Sequence, residues 1–315
     1  MRVLVTGGAG FIGSHIAKAA VEAGHQVAVL DDLSSGSRDN LPGAVEFFEV
    51  DVTQASAVET AVFDFRPEVV SHQAALVSIP LSMAQPRRDA EVNLLGTLGL
   101  LEVCCRAGVK RFVFASTGGA IYGEVSEGHA ASENDPLYPK SPYGIHKLAA
   151  EQMLGVFERE RGITTCALRY ANVYGPGQAP RGEAGVVAIF MERALQGEPL
   201  CVNARERVGD GGCIRDYIFV EDVVRMNLFA LEGRVDQPVV NVGTGIATNT
   251  LHLAQKVLEV LGREGRIEQS SPRAGDIGRS VLDAGRARRW VGSFTHLDAG
   301  LAQTAQWFLS RARAE

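Results

Sequence analysis

The stretch that leaves this chain least freedom is residues 5–13, "VTGGAGFIG", in which Gly7, Gly10 and Gly13 fall three apart. Before it, Arg2-Val3-Leu4-Val5 is apolar and rich in β-branched residues, and after it Ser14 to Ala20 has helical composition. The junction reads as strand, tight turn, helix. There the first helical turn offers unpaired N–H groups and the positive end of the macrodipole, so a pyrophosphate can sit on it if no Cβ intervenes. Glycine gives that access. The turn through Phe11, Ile12 and Gly13 is therefore a candidate seat for a dinucleotide, the alternative being an ordinary glycine-rich turn.

Two further features favour the dinucleotide. A second strand, Gln26 to Leu30, ends at Asp31-Asp32, 18 residues beyond Gly13. A carboxylate at that strand tip is placed for the adenosine ribose hydroxyls and repels a 2′-phosphate, which points to NAD over NADP. A third strand, Val45 to Val50, leads into Asp51-Val52, whose carboxylate and apolar neighbour suit the edge and face of adenine.

Composition narrows the class. The chain has 315 residues, 46% hydrophobic and 22% charged, which suits one large α/β unit or two domains. A net charge of −6 argues against a nucleic-acid partner. No apolar run reaches the length of a membrane span, and the first residues enter a strand directly, so no membrane association and a cytoplasmic location are expected. Five cysteines, including the pair Cys104-Cys105 in a helical run, do not form a disulfide framework, and they read as small hydrophobes. No CxxC or HExxH spacing suggests a metal site. His72 reads as a packed histidine.

Strand patterns near 2–6, 26–30, 45–50, 68–72, 111–116 and 163–169 alternate with helices, and the strands are almost continuously apolar. That rhythm predicts a doubly wound parallel sheet, covered on both faces, with its ligand at the carboxyl ends of the strands. After Asn172-Val173-Tyr174-Gly175 the rhythm changes: "QAPRGEAG" reads as a loop, "VVAIFMERALQG" as a helix and "LCVNARERVGDGGCIRDY" as a strand with a long polar excursion. "VEDVVRMNLFALEG" reads as a helix entered at Asp222, and "PVVNVGT" as one more strand. Two amphipathic helices and a strand near 266–269 complete the tail. The expected organisation is a nucleotide domain of 1–173 plus 215–247, and a smaller interleaved α/β domain of 174–214 plus 248–315 that binds substrate and forms a cleft with it.

Downstream of the fifth strand, "SPYGIHKLAAEQML" holds Tyr143 and Lys147. Four residues apart on a helix, they share one face about 5.4 Å apart along the axis. A free tyrosine titrates near ~10, but a neighbouring ammonium and a cationic nicotinamide both favour phenolate, which makes Tyr143 a candidate general base. Ser116 and Thr117 supply hydroxyls at the strand's end.

Taken together, "VTGGAGFIG", "VLDDLSSG", "EVNLLGTLGLLE", "FASTGGAIYGE", "SPYGIHK", "LRYANVYGPGQ", "IRDYIFVEDV" and "RAGDIGRSV" resemble the extended short-chain dehydrogenase/reductase family, specifically its nucleotide-sugar 4-epimerases, end to end. The resemblance implies a Rossmann-type fold, retained NAD and a UDP-sugar substrate. It implies that Tyr143 deprotonates the sugar 4′-hydroxyl, Lys147 holds the nicotinamide ribose, and Thr117 bonds the reacting oxygen with Ser116 beside it. Hydride then passes from C4′ to NAD⁺ and returns to the other face of a 4-ketose. Asn93 and the backbone near Ala74, Ala75 and Tyr170 would line the cofactor. Asn172, Arg215 and Asp276 match positions that hold the nucleotide diphosphate and Arg273 stands where a second phosphate-binding arginine is found, guanidinium forks being suited to phosphate, with Asp276 meeting a uridine ribose or holding one of those arginines. A homodimer paired through the Tyr143 helix and the long helix before it is also implied.

There are departures. "GGAIYG" is one residue longer than the family's pattern, which makes Thr117 the aligned hydroxyl, and the loop "NARERVGDGGC" is longer too. Ser280 stands where a large aromatic restricts the pocket in some relatives, so N-acetylated sugars are expected to fit. A 4,6-dehydratase needs adjacent Asp and Glu after the threonine, where this chain has Gly118-Gly119, with Glu124 as a distant substitute. A non-enzymatic NAD-binding sensor or scaffold is the rival of another class; such proteins usually lack the tyrosine or lysine.

Overall fold

The computed structural model describes residues 1–179, 185–273 and 276–312. In chain order the elements are β1 (Arg2–Thr6), α1 (Phe11–Glu22), β2 (Gln26–Asp31), β3 (Glu46–Glu49), α2 (Ala55–Phe65), β4 (Val69–His72), α3 (Ile79–Ala84), α4 (Pro86–Ala90), α5 (Thr97–Arg106), β5 (Arg111–Thr117) and α6 (Gly118–Ile121). They continue with α7 (Pro142–Arg161), β6 (Thr164–Tyr170), β7 (Asn172–Tyr174), α8 (Val186–Gln196), β8 (Leu200–Asn203), β9 (Ile214–Arg215), β10 (Tyr217–Phe219), α9 (Val220–Leu231) and β11 (Val239–Val242). The last are β12 (Thr248–Asn249), α10 (Thr250–Leu261), β13 (Ile267–Ser270), β14 (Arg279–Ser280), α11 (Arg288–Val291) and α12 (Leu297–Ala312).

The apolar strands build a seven-stranded sheet in the order β11-β6-β5-β4-β1-β2-β3. Its β1–β2, β1–β4, β2–β3 and β4–β5 pairings are all parallel, with Val3 opposite both Val27 and Val69. The order reverses beside β1, so the carboxyl ends of β1 and β4 flank the switch point where such sheets take ligands. Leu4, Leu30, Phe112, Phe114, Leu100, Leu101 and Cys104 fill the core against the covering helices.

The chain divides into two compact units: Met1–Thr117, Pro139–Arg169 and Val224–Val240 form the first, and Gly118–Tyr138, Tyr170–Val223 and Asn241–Glu315 the second. The sequence boundaries had kept 118–138 and all of 215–247 with the first. Hydrogen bonding explains the difference. β10 pairs with β7, and β9 lies between β12 and β14, so 214–219 is built into the second unit's small sheets. Asn241 binds Tyr122, Ala131 and Asp283, which holds 118–138 and the end of β11 in that unit.

In the second unit α10 packs on α8 and α12, and Leu253, Val257, Phe190, Met191 and Leu301 are buried on these helices. Here the polar excursion separates two strands, β8 and β9. Asp210 holds the loop between them by accepting the N–H groups of Arg205, Glu206, Arg207 and Gly212. α9 begins at Val220, two residues before the expected Asp222. The predicted loop over 178–185 and the last residues of the carboxyl-terminal helix fall partly outside the described residues. Among the described residues no helix is long and apolar enough to cross a membrane, and no group of three His, Cys, Asp or Glu is disposed to hold a metal.

Candidate active site

The three glycines of the first turn do different work. Gly7 has φ +64°, and a Cβ there would lie 2.6 Å from the Ala74 nitrogen. At Gly13 a Cβ would run into the Gly7 carbonyl and lie 2.8 Å from the Gly8 Cα. Only at Gly10, where the nearest atom would be the Gly7 oxygen at 3.3 Å, is the space not already taken by protein. Gly10 caps α1 without a side chain, and no acidic residue sits in the first turn. This leaves the helix end open to an anion. The expectation that all three glycines clear room for phosphate therefore narrows to Gly10, while Gly7 and Gly13 let strand, turn and helix close on one another.

Asp31 is buried at the tip of β2, and its two oxygens accept the N–H groups of Ala9 at 2.9 Å and Leu33 at 2.8 Å. Burial raises its pKa against those bonds. The carboxylate thus joins the glycine turn to the loop after β2 and keeps lone pairs for a further donor. Asp32 accepts the Ser34 N–H and hydroxyl. Burial raises the Asp51 pKa, but bonds from Thr53 and Arg88 outweigh it and leave the carboxyl below its ordinary range. Val52 beside it is buried.

Ala74 and Ala75 follow β4 at the switch point. Asn93 lies in a π-helical turn, Glu91–Gly96, that leads into α5. Its side chain is fully buried and bonds both backbone groups of Leu76, donating to the carbonyl at 2.8 Å and accepting the N–H at 3.0 Å. Asn93 thus fixes the segment read as lining the cofactor. His72 lies between Thr6 and Thr97 hydroxyls, with burial pushing its ring down to about 3.

α7 begins at Pro142, with the Ser141 hydroxyl accepting the Gly144 N–H at 3.2 Å as an N-cap. Its buried face runs Tyr143, Lys147, Glu151 and Leu154. The Lys147 ammonium lies 4.4 Å from the centre of the Phe114 ring on β5, the strand that ends in Thr117. Burial drives the Lys147 pKa down to about 7, with Asp89 and then Glu151 opposing it. Ser116 and Thr117 part ways: the Ser116 hydroxyl donates to buried Glu151, whereas Thr117 is partly exposed at the strand's end. Glu151 is held by Arg169 through bonds of 3.0 and 2.7 Å. Sequence reading missed Glu151, although its spacing extends the Tyr143–Lys147 stripe by one more step of four. It also missed Asp89 and Arg169, for which no local pattern exists.

In the second unit, Arg215 and Ser280 are register partners on the parallel strands β9 and β14, and Ser280 is buried. Asn172 donates to the Asp216 carbonyl at 3.2 Å. Arg273 makes a forked bond to Asp276, at 3.1 and 2.8 Å to one oxygen. Tyr170 is buried at the end of β6. The carboxylate of Glu124 receives the N–H groups of Gly278 and Arg279 and so ties down the approach to β14. A Cβ at Gly118 would collide with the Leu282 side chain.

Residues 3–243 match the model of the NAD-dependent epimerase/dehydratase family. The chain resembles a Thermus thermophilus UDP-glucose 4-epimerase solved with NAD, at 48% identity and TM-score 0.94 over 98% of this chain and 99% of that one. A Thermotoga maritima UDP-glucose 4-epimerase solved with UDP-glucose matches at 44% identity and TM-score 0.93 over the whole of both chains. The UDP-glucose 4-epimerase of Mycolicibacterium smegmatis is 39% identical over 99% of this chain and all of its own length.

Proposed function

The chain belongs to the NAD-dependent epimerase/dehydratase family, and from that premise we propose that it interconverts UDP-glucose and UDP-galactose by epimerisation at C4′. The observation that carries this reading is the buried Lys147 four residues after Tyr143, its ammonium packed on the strand that ends in Thr117. A sensor or scaffold has no use for a buried amine in that position.

The residues present fit NAD. The open turn at Gly10 with Phe11, Ile12 and Gly13 takes the pyrophosphate. Asp31 and Asp32 take the adenosine ribose, Asp51 and Val52 the adenine, and Ala74, Ala75 and Tyr170 line the rest. Gly7 and Asn93 shape the seat. The chemistry NAD supplies when bound is reversible hydride transfer at the sugar C4′. Tyr143 accepts the proton of the 4′-hydroxyl and later returns it. Lys147 holds the nicotinamide ribose and, as an ammonium, favours the phenolate form of Tyr143. Thr117 bonds the reacting oxygen, while Ser116, committed to Glu151, positions the helix. Asn172, Arg215, Arg273 and Asp276 hold the UDP moiety, with guanidinium forks suited to phosphate.

Ser280 supports acceptance of the N-acetylated pair as well, because a small buried residue leaves the pocket room. Dehydration is disfavoured: Gly118-Gly119 offer no carboxylate where elimination needs one, a Cβ at Gly118 would have to displace the Leu282 side chain, and Glu124 is committed to two backbone N–H groups. On the same reading the enzyme is a cytoplasmic homodimer, with exposed Leu95 beside α5 and Ile145 and Val156 on α7 forming the contact face.

The test is to incubate purified protein with UDP-galactose without added NAD and to resolve the products by chromatography. UDP-glucose accumulating to equilibrium is expected, and Tyr143→Phe is expected to lower turnover by ~10²–10⁴-fold with NAD still bound. No product with added NAD, or a 4-keto-6-deoxy sugar, refutes the reading.

A further inference from the structure

One buried carboxylate has no part in the roles above. Asp89, at 2% exposure on α4, has Oδ1 2.6 Å from His146 Nδ1, and its Oδ2 accepts from Asn93 Nδ2 at 3.0 Å. His146 immediately precedes Lys147, and Asn93 grips the backbone of Leu76 at two points. Within the first unit, Asp89 therefore connects the catalytic helix to the segment after β4 that the proposed reading gives to the cofactor.

The charges around Lys147 make Asp89 distinctive. On α7 they are Tyr143, His146 and Glu151, and the Glu151 charge is matched by the Arg169 fork at 2.7 Å. On α4, Arg87 pairs with Glu91 of the π-helical turn and Arg88 with Asp51, leaving Asp89 as the carboxylate facing α7. β4 contributes His72, which burial keeps neutral, and β5 contributes the Phe114 ring and Ser116. α3 has no charged residue, while on α5 Cys104 is buried and held as a thiol, Cys105 and Glu102 lie lower on the helix, and Arg106 pairs with Glu59. Glu151 is thus paired with a guanidinium, whereas Asp89 is bonded to an amide and an imidazole.

We infer that Asp89 is a positioning residue for the proposed reaction: its carboxylate keeps Lys147 an ammonium while fixing Asn93 and the start of α7. The physical reason is that a carboxylate held against His146, the residue next to Lys147, stabilises the cation in a poorly solvated site against its desolvation. This inference rests on the 4-epimerase reading for its kinetic consequence only.

The experiment compares the NAD-containing wild type with Asp89→Asn, which keeps the shape and loses the charge, and with Asp89→Glu, which keeps the charge. Turnover, KM and thermal midpoint are followed from pH 6 to 9. In Asp89→Asn the alkaline fall in kcat is expected to move down by ~1 pH unit or more, with activity recovering toward wild type at pH 6 and KM little changed. The rise of the thermal midpoint with pH is expected to begin correspondingly lower, and Asp89→Glu to restore both curves. A loss uniform across pH, a wild-type profile in Asp89→Asn, or an Asp89→Glu profile displaced as far as that of Asp89→Asn overturns the assignment. A wild type without turnover refutes the functional reading separately, and the midpoint curves alone then decide on Asp89.

Discussion

Lys147 shows at the scale of one residue how function and stability oppose each other. Its pKa is about 7 in the fold because burial outweighs the two carboxylates, against an unfolded value near ~10.4. Below the folded value the native state carries a buried ammonium at a cost, and between the two values the unfolded chain binds more protons, so stability rises with pH across that window. Lys147→Met is therefore expected to abolish turnover while its thermal midpoint at pH 6.5 is no lower than that of wild type. The wild type should gain on it as pH approaches 9, and a variant unstable at all pH values would refute this. Ser280 carries specificity in the same local way. Ser280→Tyr is expected to remove activity on UDP-GalNAc by at least ~10-fold and to spare UDP-galactose, as read from kcat/KM for the two substrates.

At the scale of elements, the turn from β1 to α1 separates fold from ligand. Gly13→Ala sets a Cβ against the Gly7 backbone and is expected to destabilise the protein by ~1–3 kcal/mol in urea unfolding. Gly10→Ala meets only one oxygen at 3.3 Å, and is expected to fold and to lose NAD by at least ~10-fold in affinity. Equal destabilisation by both variants would remove the distinction. The strands and α7 were legible in the chain because apolar runs, a serine cap and Pro142 are local signals. The π-helical turn at Glu91–Gly96 was not legible, since what accompanies it is the bonding of Asn93 to Leu76 and Asp89, contacts that "EVNLLGTL" does not encode by period.

For the whole molecule, the homodimer proposal predicts twice the chain mass by light scattering, and Ile145→Glu, at an exposed position, is expected to shift the protein toward monomer without unfolding it. A wild-type monomer at micromolar concentration would refute it. The sequence by itself determined the parallel sheet, the glycine turn with Asp31 at the next strand tip, and the Tyr143–Lys147 pair, because each is written in a short period or a fixed spacing. Only the tertiary structure decided that Ser116 serves Glu151 while Thr117 stays partly exposed, that Gly10 alone of the three glycines keeps free space, that Arg215 and Ser280 stand side by side, and that Asp89 joins His146 to Asn93. Those outcomes depend on residues far apart in the chain competing for the same hydrogen bonds and the same volume, and that competition is resolved only when the strands and helices pack.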